Sequence, residues 1–214
     1  MRNRHRYCGL IANPFIMILY FFRTARREAL PLLAILCVCG CHKRQHAQWD
    51  IAGIDTTIAE NVAYRQLDRE KEIFSVAEDP DTSIKRSSGV AYFTKGHINL
   101  TDSNSARLNN CRAYFFRHDT LTINIGVGDG FGGWGFLISF KNKRFSTEPY
   151  FVTDIGIPDK PVYDIVYQSL VLDKPEYKAG DSLYGKIDFK CFEANGFRRR
   201  IEHSGKGYFR TKIK

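Results

Sequence analysis

"TLTINIGV" at residues 120–127 decides the fold. Leu121, Ile123, Ile125 and Val127 alternate with Thr122, Asn124 and Gly126, a period of two that places the apolar set on one side of an extended strand. A helix would scatter the same residues around its circumference. The pattern recurs downstream. In "WGFLISFK" (134–141) Trp134, Phe136, Ile138 and Phe140 share one face. In "LYGKIDFKC" (183–191) Leu183, Ile187, Phe189 and Cys191 share one face, while Tyr184, Lys186, Asp188 and Lys190 share the other. "NNCRAYFFR", "YFVTD", "VYDIVYQSLVL" and "GYFRTKI" add further strands, at least seven in all. Turn signals fall at "HD" (118–119), "KNK" (141–143), "KAGD" (178–181) and "SGKG" (204–207). Half-buried strands joined by short turns pair antiparallel. The fold class is therefore all-β, as an antiparallel β-sandwich or a small barrel, over residues 90–214.

Upstream of Val90 the pattern changes. "SVAEDPDTSIKRSSG" (75–89) is polar, contains Pro80 and has no periodicity, so it is expected to be a loop or linker. In "TTIAENVAYRQLDREKE" (56–72) the apolar residues Ile58 and Val62 follow Ile54 at intervals of four, and Thr57 with Glu60 forms a capping-box pattern. A short helix is predicted near 57–71. "HKRQHAQWD" (42–50) is polar and basic and reads as the start of a tether, so residues 41–89 are assigned to a tether carrying a short helix.

The N-terminal 40 residues are of another kind. "YCGLIANPFIMILYFF" (7–22) and "LPLLAILCVCGCHK" (30–43) hold apolar runs broken by Asn13-Pro14 and Pro31, each shorter than the roughly 20 residues of a spanning helix. Between them lies the basic "RTARRE". A basic segment, a short apolar segment and then small residues is the layout of a secretory signal. A start at Met17 would leave a signal of 24 residues ending at Gly40. The other reading of this segment is an uncleaved anchor. "RREAL" matches a twin-arginine signal only in part. A zinc site at Cys37, Cys39, Cys41 and His42 is disfavoured, because structural zinc sites space paired cysteines by two to four residues.

"VCGC" (38–41) resembles the lipobox of bacterial lipoproteins: an aliphatic residue, a small residue, glycine and cysteine. The resemblance implies that Val38, Cys39 and Gly40 are signal-recognition residues, and that Cys41 is acylated and becomes the mature N-terminus. Cys39 departs from the commoner alanine or serine, although its size suits. "YKAGDSLYGKIDF" (177–189) and "GKGYFRTKI" (205–213) extend the similarity, as architecture alone, to small exported β-sandwich lipoproteins of Gram-negative bacteria. That family's sorting implies outer-membrane delivery, with His42 in place of an aspartate after the cysteine. The basic "HKRQ" implies a periplasmic rather than a surface position. Membrane lipid, through the acyl chains, is then the first partner. Two or more chains hold a protein stably where one does not.

Removing residues 1–40 changes the charge balance. The chain has 32 basic and 23 acidic residues and a net charge of +9. The signal holds six and one of these, so the mature 174 residues carry a net +4. The excess gathers in "RRR" (198–200) and in Lys206, Arg210, Lys212 and Lys214, expected to form a solvated hairpin rather than a nucleic-acid surface. Cys111 and Cys191 remain besides the anchor. Both fall in the inward phase of their strands, Cys111 with Ala113 and Phe115, so a disulfide between sheets and a pair of buried free thiols are both open. A bridge would contribute about 4–5 kcal/mol in the chain-entropy model.

Motifs that carry chemistry are sparse. In "GVGDGFGGWGF" (126–136) Gly128, Gly130 and Gly133 match G-x-G-x-x-G, but a strand follows where a dinucleotide site needs a helix. The stretch reads as a glycine-rich hairpin, with Trp134, and Tyr163 elsewhere, as candidate ligand contacts. Asp129 lacks the repeated acidic positions of a calcium loop. His42, His46, His97, His118 and His203 are scattered, with no HExxH, CxxC or GxSxG motif, so no metal or cofactor is expected. "NLT" (99–101) is a glycosylation sequon with meaning only in a eukaryote. The expectation is a non-catalytic, membrane-anchored lipoprotein whose β-domain binds or scaffolds an envelope protein or glycan, with no catalytic residue assigned. The alternative is an envelope-polymer hydrolase using carboxylates such as Asp129, Asp154 or Asp164.

Overall fold

The alternating stretches become strands in the computed structural model of the protein, which describes residues 47–72, 84–96, 109–116, 119–128, 132–152, 161–194 and 200–214. The chain divides into a unit of residues 1–44 and a unit of residues 45–214. The first unit, with Val38, Cys39, Gly40 and Cys41, lies outside the described residues. The second holds strands β1 (Asp50–Ile51), β2 (Gly53–Ile54), β3 (Ala91–Lys95), β4 (Asn110–Phe116) and β5 (Thr120–Gly128). It continues with β6 (Gly133–Lys141), β7 (Arg144–Val152), β8 (Val162–Leu172), β9 (Ser182–Ala194) and β10 (Arg200–Lys212). One sheet has the order β1-β7-β6-β5-β4 and the other β2-β8-β9-β10-β3. All pairings are antiparallel except the short parallel contact of β2 with β8. Two packed five-stranded sheets make a sandwich and not a closed barrel.

The alternation places the core between the sheets. Leu121, Ile123, Ile125, Phe136, Ile138 and Phe145 from the first sheet meet Leu170, Leu172, Leu183, Ile187, Phe189 and Phe209 from the second, all essentially removed from water. Each such side chain contributes roughly 1.5–3 kcal/mol of burial free energy before chain entropy is set against it.

Two departures from the sequence reading concern boundaries. Residues 47–72 belong to the folded unit and are not a free tether. Asp50–Ile51 pairs with β7 in one sheet, Ala52 is buried in the core, and Gly53–Ile54 pairs with β8 in the other, so five residues join the two sheets along one side. The division expected at Val90 therefore falls inside the fold. The predicted helix is also shorter: a 3-10 turn (Ile58–Glu60) and then α1 (Val62–Leu67). Thr57 does not cap it. Its hydroxyl donates to Asp55 at 2.7 Å, and Asn61 takes the capping role by accepting from the Ala63 N–H at 3.0 Å. The side chain of Asn61 thus restarts the helix four residues later. Ile58, Tyr64 and Leu67 dock on Val171, Tyr184 and Tyr208 on the outer face of the second sheet. Val62, in the predicted apolar series, is exposed.

The turn predicted at "SGKG" is also absent; those residues lie inside β10. Gly205 sits opposite Phe189, and Gly185 sits opposite Phe209, in one antiparallel register. A Cβ on either glycine would stand 2.4 Å from the facing ring. Each glycine is a floor for a phenylalanine of the neighbouring strand, an arrangement that covers backbone which glycine leaves bare. The "KNK" turn, by contrast, forms as expected, with positive φ at Asn142 (52°) and Lys143 (59°) closing a two-residue hairpin.

Candidate functional site

Of the described sequence candidates, Trp134, Tyr163, Cys111 and Cys191 pack into or against the core, and only Asp164 is presented to solvent. Trp134 is half-buried on β6 and packs against the core, as does Tyr163 on β8. The Tyr163 ring meets His203 edge-on at 6.1 Å, and burial, with the Glu193 charge adding, pushes its phenol well above the ordinary value. Cys111 and Cys191 lie on β4 and β9, one in each sheet, fully buried and as free thiols. Burial lifts both, Cys191 to about 12, so neither is a ready nucleophile. Asp164 is exposed and ion-paired with Arg200 at 3.1 Å. Asp129, Asp154, His42, His46, His97 and His118 lie outside the described residues. Among the described residues no group of three histidine, cysteine or acidic side chains could hold a metal ion. No helix among them is long and apolar enough to cross a membrane.

The polar groups that do converge form two clusters. One threads the interior. The Tyr92 hydroxyl is 2.9 Å from His203 Nδ1, and His203 Nε2 is 2.9 Å from Glu193 Oε2. A neutral imidazole satisfies both contacts when Nε2 donates to the carboxylate and Nδ1 accepts from the phenol. Tyr92 and His203 are buried, and of the three side chains only Glu193 reaches solvent, with 15% of its side chain exposed.

The second cluster lines an open cleft of about 570 Å3 beside β10, between the segment after α1, residues 84–87 and the edge strand β4. Glu72 is its anchor, with a side chain 2% exposed. Its Oε1 accepts from Ser87 Oγ at 2.5 Å and Arg112 Nη1 at 2.6 Å; its Oε2 accepts from Arg112 Nη2 at 2.7 Å. This two-pronged pairing fixes the guanidinium in a plane. Ser87 Oγ also accepts from the Cys111 N–H at 2.8 Å, which ties the network to β4. Deeper along β10, Arg210 donates to Asp68 at 2.9 Å and its backbone N–H to Ser87 O at 2.8 Å. Lys85 stands 3.3 Å from the same Asp68 oxygen. The Arg210 hydrogen bond, with Lys85 adding, holds the Asp68 carboxyl below the usual range.

Chemically, both carboxylates of this cleft are committed to cations and hold them in place. Lys212 and Lys214 complete its rim, and neither forms an ion pair among the described residues. The basic run expected to be a solvated hairpin is in part this wall: Arg210 is engaged, Lys206 is exposed outside the cleft and pairs with Asp188 at 2.7 Å, and Lys212 and Lys214 line the rim. Sequence reasoning noted those lysines but missed Glu72, Ser87 and Arg112. Glu72 ends the charged run "DREKE", which carries no sign that its last carboxylate is buried. Arg112 does carry a weak signal, since it stands in the outward phase next to inward Cys111 on an edge strand.

No protein-family model, curated protein or solved structure matches this chain.

Proposed function

We propose that the chain is a membrane-anchored, non-catalytic lipoprotein whose β-sandwich binds a ligand or partner in the cell envelope, on the periplasmic side of the outer membrane. The observation that carries the binding reading is the cleft beside β10, where Glu72 and Asp68 are clamped by Arg112 and Arg210. Carboxylates whose oxygens are taken up by arginines organise a surface rather than reach a substrate. The anchoring half of the proposal rests on "VCGC" and the basic and apolar segments before it.

The test is the intact mass of the protein extracted from the membranes of a Gram-negative host. A chain beginning at Cys41 and carrying acyl groups is expected, with Cys41→Ala giving an unlipidated chain that retains the signal. A wild-type chain that keeps residues before Cys41 and bears no lipid overturns the anchoring half. Turnover of peptidoglycan or another envelope glycan by the purified protein would overturn the non-catalytic half in favour of the hydrolase reading.

A further inference from the structure

We infer that the cleft beside β10 is a site for a phosphate-bearing ligand, a phosphomonoester or diphosphate on a small polar body. This inference rests on the binding reading and gives its ligand a chemical class. Charge comes first. Lys85, Arg112, Arg210, Lys212 and Lys214 line the cleft against Asp68 and Glu72, an excess of three positive side-chain charges. The two carboxylates are already paired with Arg112, Arg210 and Lys85, so two of the three excess charges are Lys212 and Lys214, which have no carboxylate partner among the described residues.

Preorganisation comes second. The backbone beneath those two lysines is pinned. The Ile213 N–H donates to Asp181 O at 2.9 Å and the Lys214 N–H to Ala113 O at 2.9 Å. The terminal segment is therefore held between the loop before β9 and the edge strand β4. Lys212 and Lys214 sit at alternate positions of an extended chain, which places their stems on one face about 7 Å apart. Two ammonium groups so spaced suit an anion with several charged oxygens better than a single carboxylate.

Shape and hydrogen-bonding capacity come third. The cleft volume of about 570 Å3 falls among small-molecule sites, roughly 300–1,000 Å3, and exceeds what a lone phosphate fills. The hydroxyl-bearing residues Ser182, Tyr184 and Thr211 line the same cleft beside the lysines. Hydroxyl and ammonium groups together match an ester whose body is itself polar. The charged half of such a ligand is equally present in a soluble ester and in the head group of an anionic lipid.

The experiment is calorimetric titration of the detergent-solubilised full chain with inorganic pyrophosphate, and in a second arm co-sedimentation with vesicles of phosphatidylglycerol in phosphatidylcholine. Saturable binding is expected in the pyrophosphate arm. The double variant Lys212→Glu, Lys214→Glu is expected to weaken it at least tenfold, and Lys212→Gln, Lys214→Gln by a smaller factor. Lys206→Glu, on β10 but outside the cleft, is expected to leave it unchanged. Unaltered circular dichroism in each variant separates lost binding from lost folding. Pyrophosphate binding with no gain in sedimentation over pure phosphatidylcholine vesicles, to which the acyl chains bind the protein in any case, identifies a soluble ester as the source; pyrophosphate binding with a phosphatidylglycerol-dependent gain that shares the lysine dependence identifies a head group. No pyrophosphate binding overturns the inference, as does equal weakening by Lys206→Glu, which would mean general charge attraction. A glycan-turnover assay on the same samples keeps the outcomes apart. Turnover overturns the non-catalytic reading, whereas neither turnover nor binding overturns the phosphate assignment alone.

Discussion

The two polar clusters of this sandwich solve opposite problems with similar side chains. Tyr92 and His203 lie inside the fold, where every polar atom needs a partner because water cannot reach it, and their chain ends on Glu193, which keeps 15% of its side chain exposed. The Glu72–Arg112 and Asp68–Arg210 pairs lie at an open edge, where Arg112 keeps 43% of its side chain in solvent. The first is closed at Tyr92 and His203 and supports the fold. The second is half open, so its cations stay in contact with whatever enters the cleft. Exposure of the basic partner, 4% at His203 against 43% at Arg112, separates the structural network from the candidate recognition surface.

The comparison breaks most readily at His203. His203→Ala removes both contacts of the sealed chain and leaves a cavity, and about 3 kcal/mol of destabilisation is expected in chemical denaturation. A loss under ~1 kcal/mol would mean that the chain is not structural. Glu72→Ala is expected to cost about 2 kcal/mol, less than the loss of a fully buried pair because Arg112 can turn toward water. If Glu72→Ala proves the more damaging of the two, the distinction between sealed and open clusters is lost.

Acid sharpens the same contrast more gently. Asp68 is stabilised in its charged form, so its contribution is complete above an unfolded value near 3.9 and is lost as pH falls through the lower folded value. Below about pH 4, amide exchange in α1 and the residues just after it should accelerate while β5 and β6 remain protected. Uniform acceleration across these elements would show that the Asp68 link has no local role. The smallest effect is expected at the thiols. In the native protein neither Cys111 nor Cys191 should react with iodoacetamide, and both should react in denaturant without reductant. Labelling that needs reductant would reveal a disulfide in place of the free thiols.

The sandwich was legible because each strand's alternation is local. The inward phases of β5, β6 and β9 read from Leu121, Phe136 and Ile187 are those buried in the structure. The phase of Cys111 and Cys191 was legible for the same reason; whether they bridge was not, since that depends on how two sheets are set against each other. The candidate cleft was hardly legible at all. It draws Glu72, Arg112 and Lys214 from three distant parts of the chain, and no spacing rule connects them. Position 205 misled for a related reason. A glycine between Ser204 and Lys206 has the look of a turn, and its role as a floor for Phe189 exists only once β9 and β10 are in register.

The sequence by itself determined that this chain makes strands, which faces of them are apolar, and where the "KNK" hairpin closes, because side-chain period and backbone φ preference act over a few neighbouring residues. Only the tertiary structure decided that residues 47–72 join the sandwich, that Asn61 starts α1, and that Glu72 lies buried under Arg112. Those outcomes turn on burial and long-range pairing, and the free energy of a charge or a cap depends on which distant atoms exclude water from it.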